Sequence, residues 1–180
     1  LALPAGSLHI KAAATSTVVA IKINANLPDN RRRNGLPTIQ GVVAAIDPRN
    51  GRLRALVDSG SLTAWRTAAA TRVALQVLKQ APLRVAAIVG CGVQGHAHAV
   101  LLAALPGLRE LRLYDQDATR AATLARTLVA CRTVRVRIAP DLRAARFGQH
   151  PAMVVVTGPR EMDRKGLAKD LETRLFDAGR

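Results

Sequence analysis

With 180 residues, 49% of them apolar, the chain is long enough to bury a core as one large domain or two small ones. Its 27 basic and 12 acidic side chains leave a formal charge of +15, which raises the question of nucleic acid. Only Lys11, Lys22, Lys79, Lys165 and Lys169 are lysines; the rest are dispersed arginines, with one run at Arg31-Arg32-Arg33, and an aromatic content of 2% removes the stacking platforms of single-strand binders. The composition therefore argues against nucleic acid as a partner.

No stretch approaches the roughly 20 apolar residues of a transmembrane helix, so no membrane partner is expected. The opening Leu1-Ala-Leu-Pro-Ala-Gly6 lacks the basic and long apolar regions of a signal peptide. Two cysteines, Cys91 and Cys131, make no disulfide framework, and a cytoplasmic location is expected. His9, His96, His98 and His150 show no metal-ligand spacing with them; His96 and His98 stand two apart on a predicted helix and do not share a face.

In chain order, Leu8 and Ile10 suggest a short strand, and a second runs from about Val18 to Ala25. Along it Val19, Ile21 and Ile23 share one face, while Ala20, Lys22 and Asn24 share the other. Lys22 is a single ammonium in an apolar strand. Either its face meets water, or it lines a pocket where a desolvated amine serves as acid, base or carboxylate anchor. Residues 28–35 read as a loop closed by Leu36-Pro37. Ile39 to Ile46 returns as a strand, and the turn Asp47-Pro-Arg-Asn-Gly51 predicts that Arg52 to Val57 pairs back as a hairpin. Ser61 or Thr63 can cap a helix with the apolar stripe Leu62, Trp65, Ala69, Val73 and Val77, ending before Pro82. Arg66 and Thr67 lie off that stripe near the helix start, where an anion would be stabilised; the alternative is an ordinary solvated arginine.

Beyond Pro82 the pattern becomes regular α/β. The apolar run Val85 to Val89 leads into Gly90-Cys-Gly-Val-Gln-Gly95 and then into the helical spacing of Val93, Ala97, Val100, Leu101 and Ala104. In such a turn Gly90 allows the tight bend, Gly92 removes the Cβ that would keep a pyrophosphate away, and Gly95 lets helix and strand pack closely. A second strand, Glu110 to Tyr114, ends in Asp115, placed to accept the ribose 2′-OH of NAD and to repel the 2′-phosphate of NADP. Arg112 and Arg120 stand nearby. The competing reading is a glycine turn of another α/β unit, with Asp115 as a helix cap. Helix 117–130, strand 133–138, a short helix near 141–147 and strand 152–156 complete a parallel sheet with helices on both faces. Thr157 would stand at the ligand-facing end of the fourth strand.

These motifs make the chain similar to the ornithine cyclodeaminase and mu-crystallin family, which includes archaeal alanine dehydrogenase and ketimine reductases. The resemblance rests on Ala20-Ile-Lys-Ile-Asn24, Gly35-Leu-Pro-Thr38 with Gly41-Val-Val43, Asp58 with Leu62-Thr-Ala-Trp-Arg-Thr-Ala-Ala69, and Ile88-Val-Gly-Cys-Gly-Val-Gln94 with Tyr114-Asp115. It implies a Rossmann-type NAD domain over 82–180, a connecting helix over 61–81, and a smaller mixed-sheet substrate and dimerisation domain over 1–60. It implies that Lys22 is the active-site lysine and that Arg66 stands beside both substrate and cofactor. Thr38, Val93, Gln94, Asp115 and Thr157 are implied as further cofactor contacts. The implied reaction is hydride exchange with the α-carbon of a small amino acid, keto acid or cyclic imine, in a homodimer.

The chain also departs from the family. The region before Lys22 is too short for the usual N-terminal helix and upstream arginine. Thr157 runs directly into Gly158-Pro-Arg-Glu-Met-Asp163, similar to a later family segment, so the piece bearing the catalytic aspartate is expected to be missing. A shortened chain with impaired catalysis is therefore expected alongside the intact enzyme, with a basic nucleic-acid protein as the third reading.

Overall fold

A computed structural model describes residues 1–78, 83–129, 134–146 and 153–156. The chain divides into two compact units, Leu1–Thr67 and Ala68–Arg180.

The first unit is an antiparallel meander in sequence order: β1 (Ala2–Leu3), β2 (Gly6–Ala14), β3 (Val19–Asn26), β4 (Ile39–Ile46) and β5 (Leu53–Asp58). The β2–β3 turn closes on Thr15, whose Oγ1 accepts the amides of Thr17 at 3.2 Å and Val18 at 3.1 Å. That turn carries Lys11 to Ala14 into register with β3, so the expected short strand extends to nine residues. At the β4–β5 hairpin the Asp47 carboxylate accepts the Arg49 amide at 2.9 Å and Gly51 takes φ 72°, the left-handed conformation such a turn needs.

Where a loop is expected over 28–35, one helical turn forms, α1 (Asn30–Asn34). Gly35 ends it at φ 67°, and the buried Asn30 amide donates to the Pro37 carbonyl at 2.8 Å. The arginine run lies exposed on α1, with Arg32 and Arg33 reaching Asp29 at 3.4 and 3.7 Å.

The helix α2 (Ser59–Leu78) begins two residues earlier than Ser61. Asp58 caps it, its Oδ2 accepting the Ser61 amide at 2.6 Å, so the Ser61 or Thr63 cap is corrected. The expected apolar stripe is corrected as well. Leu62, Trp65, Val73 and Val77 are 39%, 44%, 56% and 75% exposed, whereas Ala64 and Ala68 are buried and Leu75 packs against the core of the second unit. The packed side of this helix is therefore the one carrying Ala64, Ala68 and Leu75, away from the stronger apolar stripe.

The second unit strings β6 (Val85–Val89), α3 (Val93–Ala103), β7 (Glu110–Tyr114), α4 (Ala118–Leu128), β8 (Arg135–Ile138), α5 (Leu142–Arg146) and β9 (Met153–Val156) into the parallel order β8-β7-β6-β9. This is the Rossmann-type order, in which the first strand is central and the crossover from the third to the fourth reverses the winding. The expected α/β fold class holds, with one correction: the first unit's sheet, expected to be mixed, is antiparallel at every described pairing, because each strand pairs with the next in sequence and no crossover connection intervenes. Ala86 to Val89 are wholly buried, which explains why β6 reads as an unbroken apolar run. Ile88, Leu102, Leu111, Leu113 and Leu128 fill the core around it.

Candidate functional site

The carboxyl ends of β6 and β7 bring together Gly90, Gly92, Val93, Gln94, Gly95 and Asp115. The three glycines differ in what the fold asks of them. Gly90 sits at φ 97°, which side chains rarely tolerate. A Cβ on Gly95 would run into the Gly90 carbonyl and press on the Ile88 side chain at 3.2 Å, so this glycine is set by helix–strand packing. Gly92 is different: its backbone, at φ −78° and ψ −162°, suits any residue, and a Cβ there would meet nothing within 4 Å. The fold places no demand on Gly92, and the open space lies over the start of α3.

That helix opens at Gly92 without a side-chain cap, leaving its first amides and its positive dipole end toward the same space. Val93 is exposed there, and Gln94 Oε1 is buried with no hydrogen-bond partner among the described residues. A bare backbone and uncapped amide donors fit a dinucleotide pyrophosphate.

Asp115 is held beside this loop. Its Oδ2 accepts the Cys91 amide at 2.6 Å and its Oδ1 the Asp117 amide at 2.9 Å. It is not the helix cap, because Asp117 caps α4 by accepting the Thr119 amide at 3.0 Å. The nearby arginines are engaged elsewhere: Arg112 with Glu110 at 2.7 Å and Arg120 with Asp117 at 3.3 Å. Burial, and then the Asp115 carboxylate, push the Cys91 thiol up to about 11, so it stays a protonated, poorly nucleophilic group. His98 is buried, its Nδ1 donating to the Gln94 carbonyl at 2.8 Å and its Nε2 meeting the Thr71 hydroxyl at 3.1 Å, while His96 is exposed. His98 thus braces α3 against α2.

Within the first unit, the face of β3 that carries Lys22 meets the first turns of α2. Lys22 Nζ donates to Thr63 Oγ1 at 2.6 Å, and Ser59 Oγ donates to Asn24 Oδ1 at 2.5 Å. Arg66 stands one turn beyond Thr63. Partial burial, then the Arg66 guanidinium, then Lys11 hold the Lys22 ammonium below its usual 10.5. Lys11 is Lys22's partner across β2 and β3, and Val43 is its partner on β4.

The sequence reading passed over Lys11 and treated Thr63 only as a cap; the alternation of β2 past Ile10 was the available signal for Lys11. Thr38 lies just before β4, its carbonyl accepting the Leu27 amide at 2.8 Å, roughly 16 Å of extended chain before Val43. Thr157, and the segment through Asp163, lie outside the described residues.

The sequence matches the ornithine cyclodeaminase/mu-crystallin family over residues 4–161. It is 34% identical to an uncharacterized cyclodeaminase of Sinorhizobium fredii over 143 residues, 79% of this chain and 42% of that one. Among solved structures, one of lysine cyclodeaminase, described with L-lysine, L-ornithine and L-2,4-diaminobutyric acid, superposes with a TM-score of 0.70 at 28% identity, covering 88% of this chain and 45% of the other. The iminosuccinate reductase of Paracoccus denitrificans in complex with NAD+ gives 0.67 at 25% identity, covering 84% and 46%. The chain thus spans less than half the length of each of these relatives. By the length and continuity of the family match, the chain belongs to the ornithine cyclodeaminase/mu-crystallin family.

Proposed function

We propose that the chain binds NAD(H) on the Gly90–Gly95 loop and serves hydride exchange at the α-carbon of a small amino acid, keto acid or cyclic imine. The observation that carries this reading is Gly92, whose missing side chain answers to no neighbour in the fold. Val93, Gln94 and the α3 amides would take the pyrophosphate, and Asp115 would accept from the adenosine ribose and disfavour a 2′-phosphate. When bound, the nicotinamide supplies the hydride chemistry.

Lys22 and Arg66 would hold the substrate carboxylate by charge, with Thr63 fixing the ammonium's direction. The depressed Lys22 pKa also suits proton transfer to the departing or entering amine. Thr38, Arg66 and Thr157 join the cofactor contacts through the family resemblance alone. Substrates named for the relatives range from diamino acids to iminosuccinate, which carry opposite charges at the side chain.

A homodimer is part of the proposal. Ile10, Ile23 and Leu56 share one open apolar face of the first unit's sheet, opposite the face of Lys22. The experiment for the cofactor reading is Gly92→Val. NADH affinity should fall at least ~100-fold, about 2.7 kcal/mol, with the melting temperature nearly unchanged. Retained affinity would refute the placement.

A further inference from the structure

The Lys22 site contains a second ammonium. Lys11 and Lys22 are directly opposite in the antiparallel β2–β3 ladder, so both side chains leave the same face of the sheet, the face that meets α2 at Ser59 and Thr63. Residues opposite each other in such a pair have Cβ atoms roughly 5 Å apart, and like charges in that position are destabilising. Arg66 follows Thr63 by one helical turn and adds a third positive charge. None of the three forms an ion pair with a carboxylate among the described residues. The acid nearest in sequence to this end of α2, Asp58, is occupied as the helix cap.

Arg49 and Arg52 are also exposed and form no ion pair among the described residues, but Lys11, Lys22 and Arg66 act on one another: the reduced Lys22 pKa has both Arg66 and Lys11 among its causes. A single substrate carboxylate is answered by Lys22 and Arg66. Lys11 is then surplus to a neutral side chain such as a methyl group, and it would repel the terminal ammonium of a diamino acid.

Resting on the function proposed above, we infer that Lys11 binds a second carboxylate, so that the substrate is an amino- or imino-dicarboxylic acid rather than a diamino acid. The α-carboxylate takes Lys22 and Arg66, and the side-chain carboxylate takes Lys11 at the exposed edge of the same face. Lys11 is a specificity residue, separate from the carboxylate grip.

The test is calorimetric titration of the full chain with L-aspartate, L-alanine and L-ornithine, with and without saturating NAD+. Aspartate should bind about tenfold more tightly than alanine, and ornithine more weakly than either. Lys11→Gln should remove the aspartate preference while keeping alanine affinity within about threefold, and Lys11→Glu should place ornithine above aspartate. Lys22→Ala should weaken all three ligands.

Equal affinity for aspartate and alanine, or an aspartate preference that survives in both Lys11 variants, overturns the inference while Lys22-dependent binding leaves the parent reading standing. Absence of amino-acid binding, or binding indifferent to Lys22→Ala, overturns both.

Discussion

The two candidate sites are built in opposite ways. In the second unit everything from Gly90 to Asp115 lies within one βαβ segment, and the glycines divide by what the fold asks of them: a positive φ at Gly90, a packing limit at Gly95, and nothing at Gly92, where a Cβ would meet open space. In the first unit the charges come from β2, β3 and α2, and only the strand register brings Lys11 to Lys22. A site made of contiguous chain can be recognised by spacing. A site made by pairing depends on turns, and one shifted residue would send Lys11 to the other face.

The sharpest break in this comparison is within the glycine loop itself. Gly95→Val should prevent the second unit from folding or lower its melting temperature by tens of degrees, since the branched side chain meets backbone that cannot retreat. Gly92→Val, three residues away, should melt like the parent and lose NADH. If both variants unfold alike, Gly92 is structural and the assignment of roles within the loop fails.

A smaller effect is expected at the sugar. Asp115→Ser should shift the ratio of NADPH to NADH affinity by about tenfold toward NADPH, by removing a carboxylate from beside the ribose position. Because Asp115 also accepts the Cys91 and Asp117 amides, some loss of overall affinity should accompany the shift, measurable in the same titrations. An unchanged ratio would count against the ribose role.

The smallest effect concerns how the first unit holds α2. The Ser61 amide keeps the Asp58 carboxyl below its ordinary 3.8, so its ionised form stabilises the fold. That contribution is present above 3.8 and disappears as pH falls through the lower folded value. Asp58→Asn retains an acceptor without the charge, and the stability difference between wild type and variant should therefore shrink on acidification below about pH 4. A difference that stays constant with pH would remove Asp58 from the capping role.

How far the sequence was legible follows the same division. The alternation of apolar runs with helical periods over 85–156 sufficed for the order of strands and helices in the second unit, because parallel βαβ units leave few topologies. Gly90, Gly92, Gly95 and Asp115 are singled out by spacing, and the structure gives each a different local surrounding. On α2 the reading failed: Leu62, Trp65, Val73 and Val77 form the stronger apolar stripe, yet the helix buries Ala64 and Ala68. Hydrophobic periodicity reports amphipathicity and carries no information about how closely a neighbour approaches. Lys11 was passed over because the Thr15 turn, which sets the β2–β3 register, gives little signal in composition. Thr63 could cap a helix or accept from an ammonium, and only the start of α2 at Ser59 decides between them.

The central claim is that the loop over α3 is an anion seat for a dinucleotide whose ribose meets a carboxylate. Isothermal calorimetry of the folded wild-type chain against NADH and NADPH tests it most directly. Saturable heat with one site, and at least about tenfold tighter binding of NADH, is the predicted result. Saturable binding that favours NADPH would contradict the role of Asp115, and no saturable heat with either nucleotide would contradict the claim as a whole.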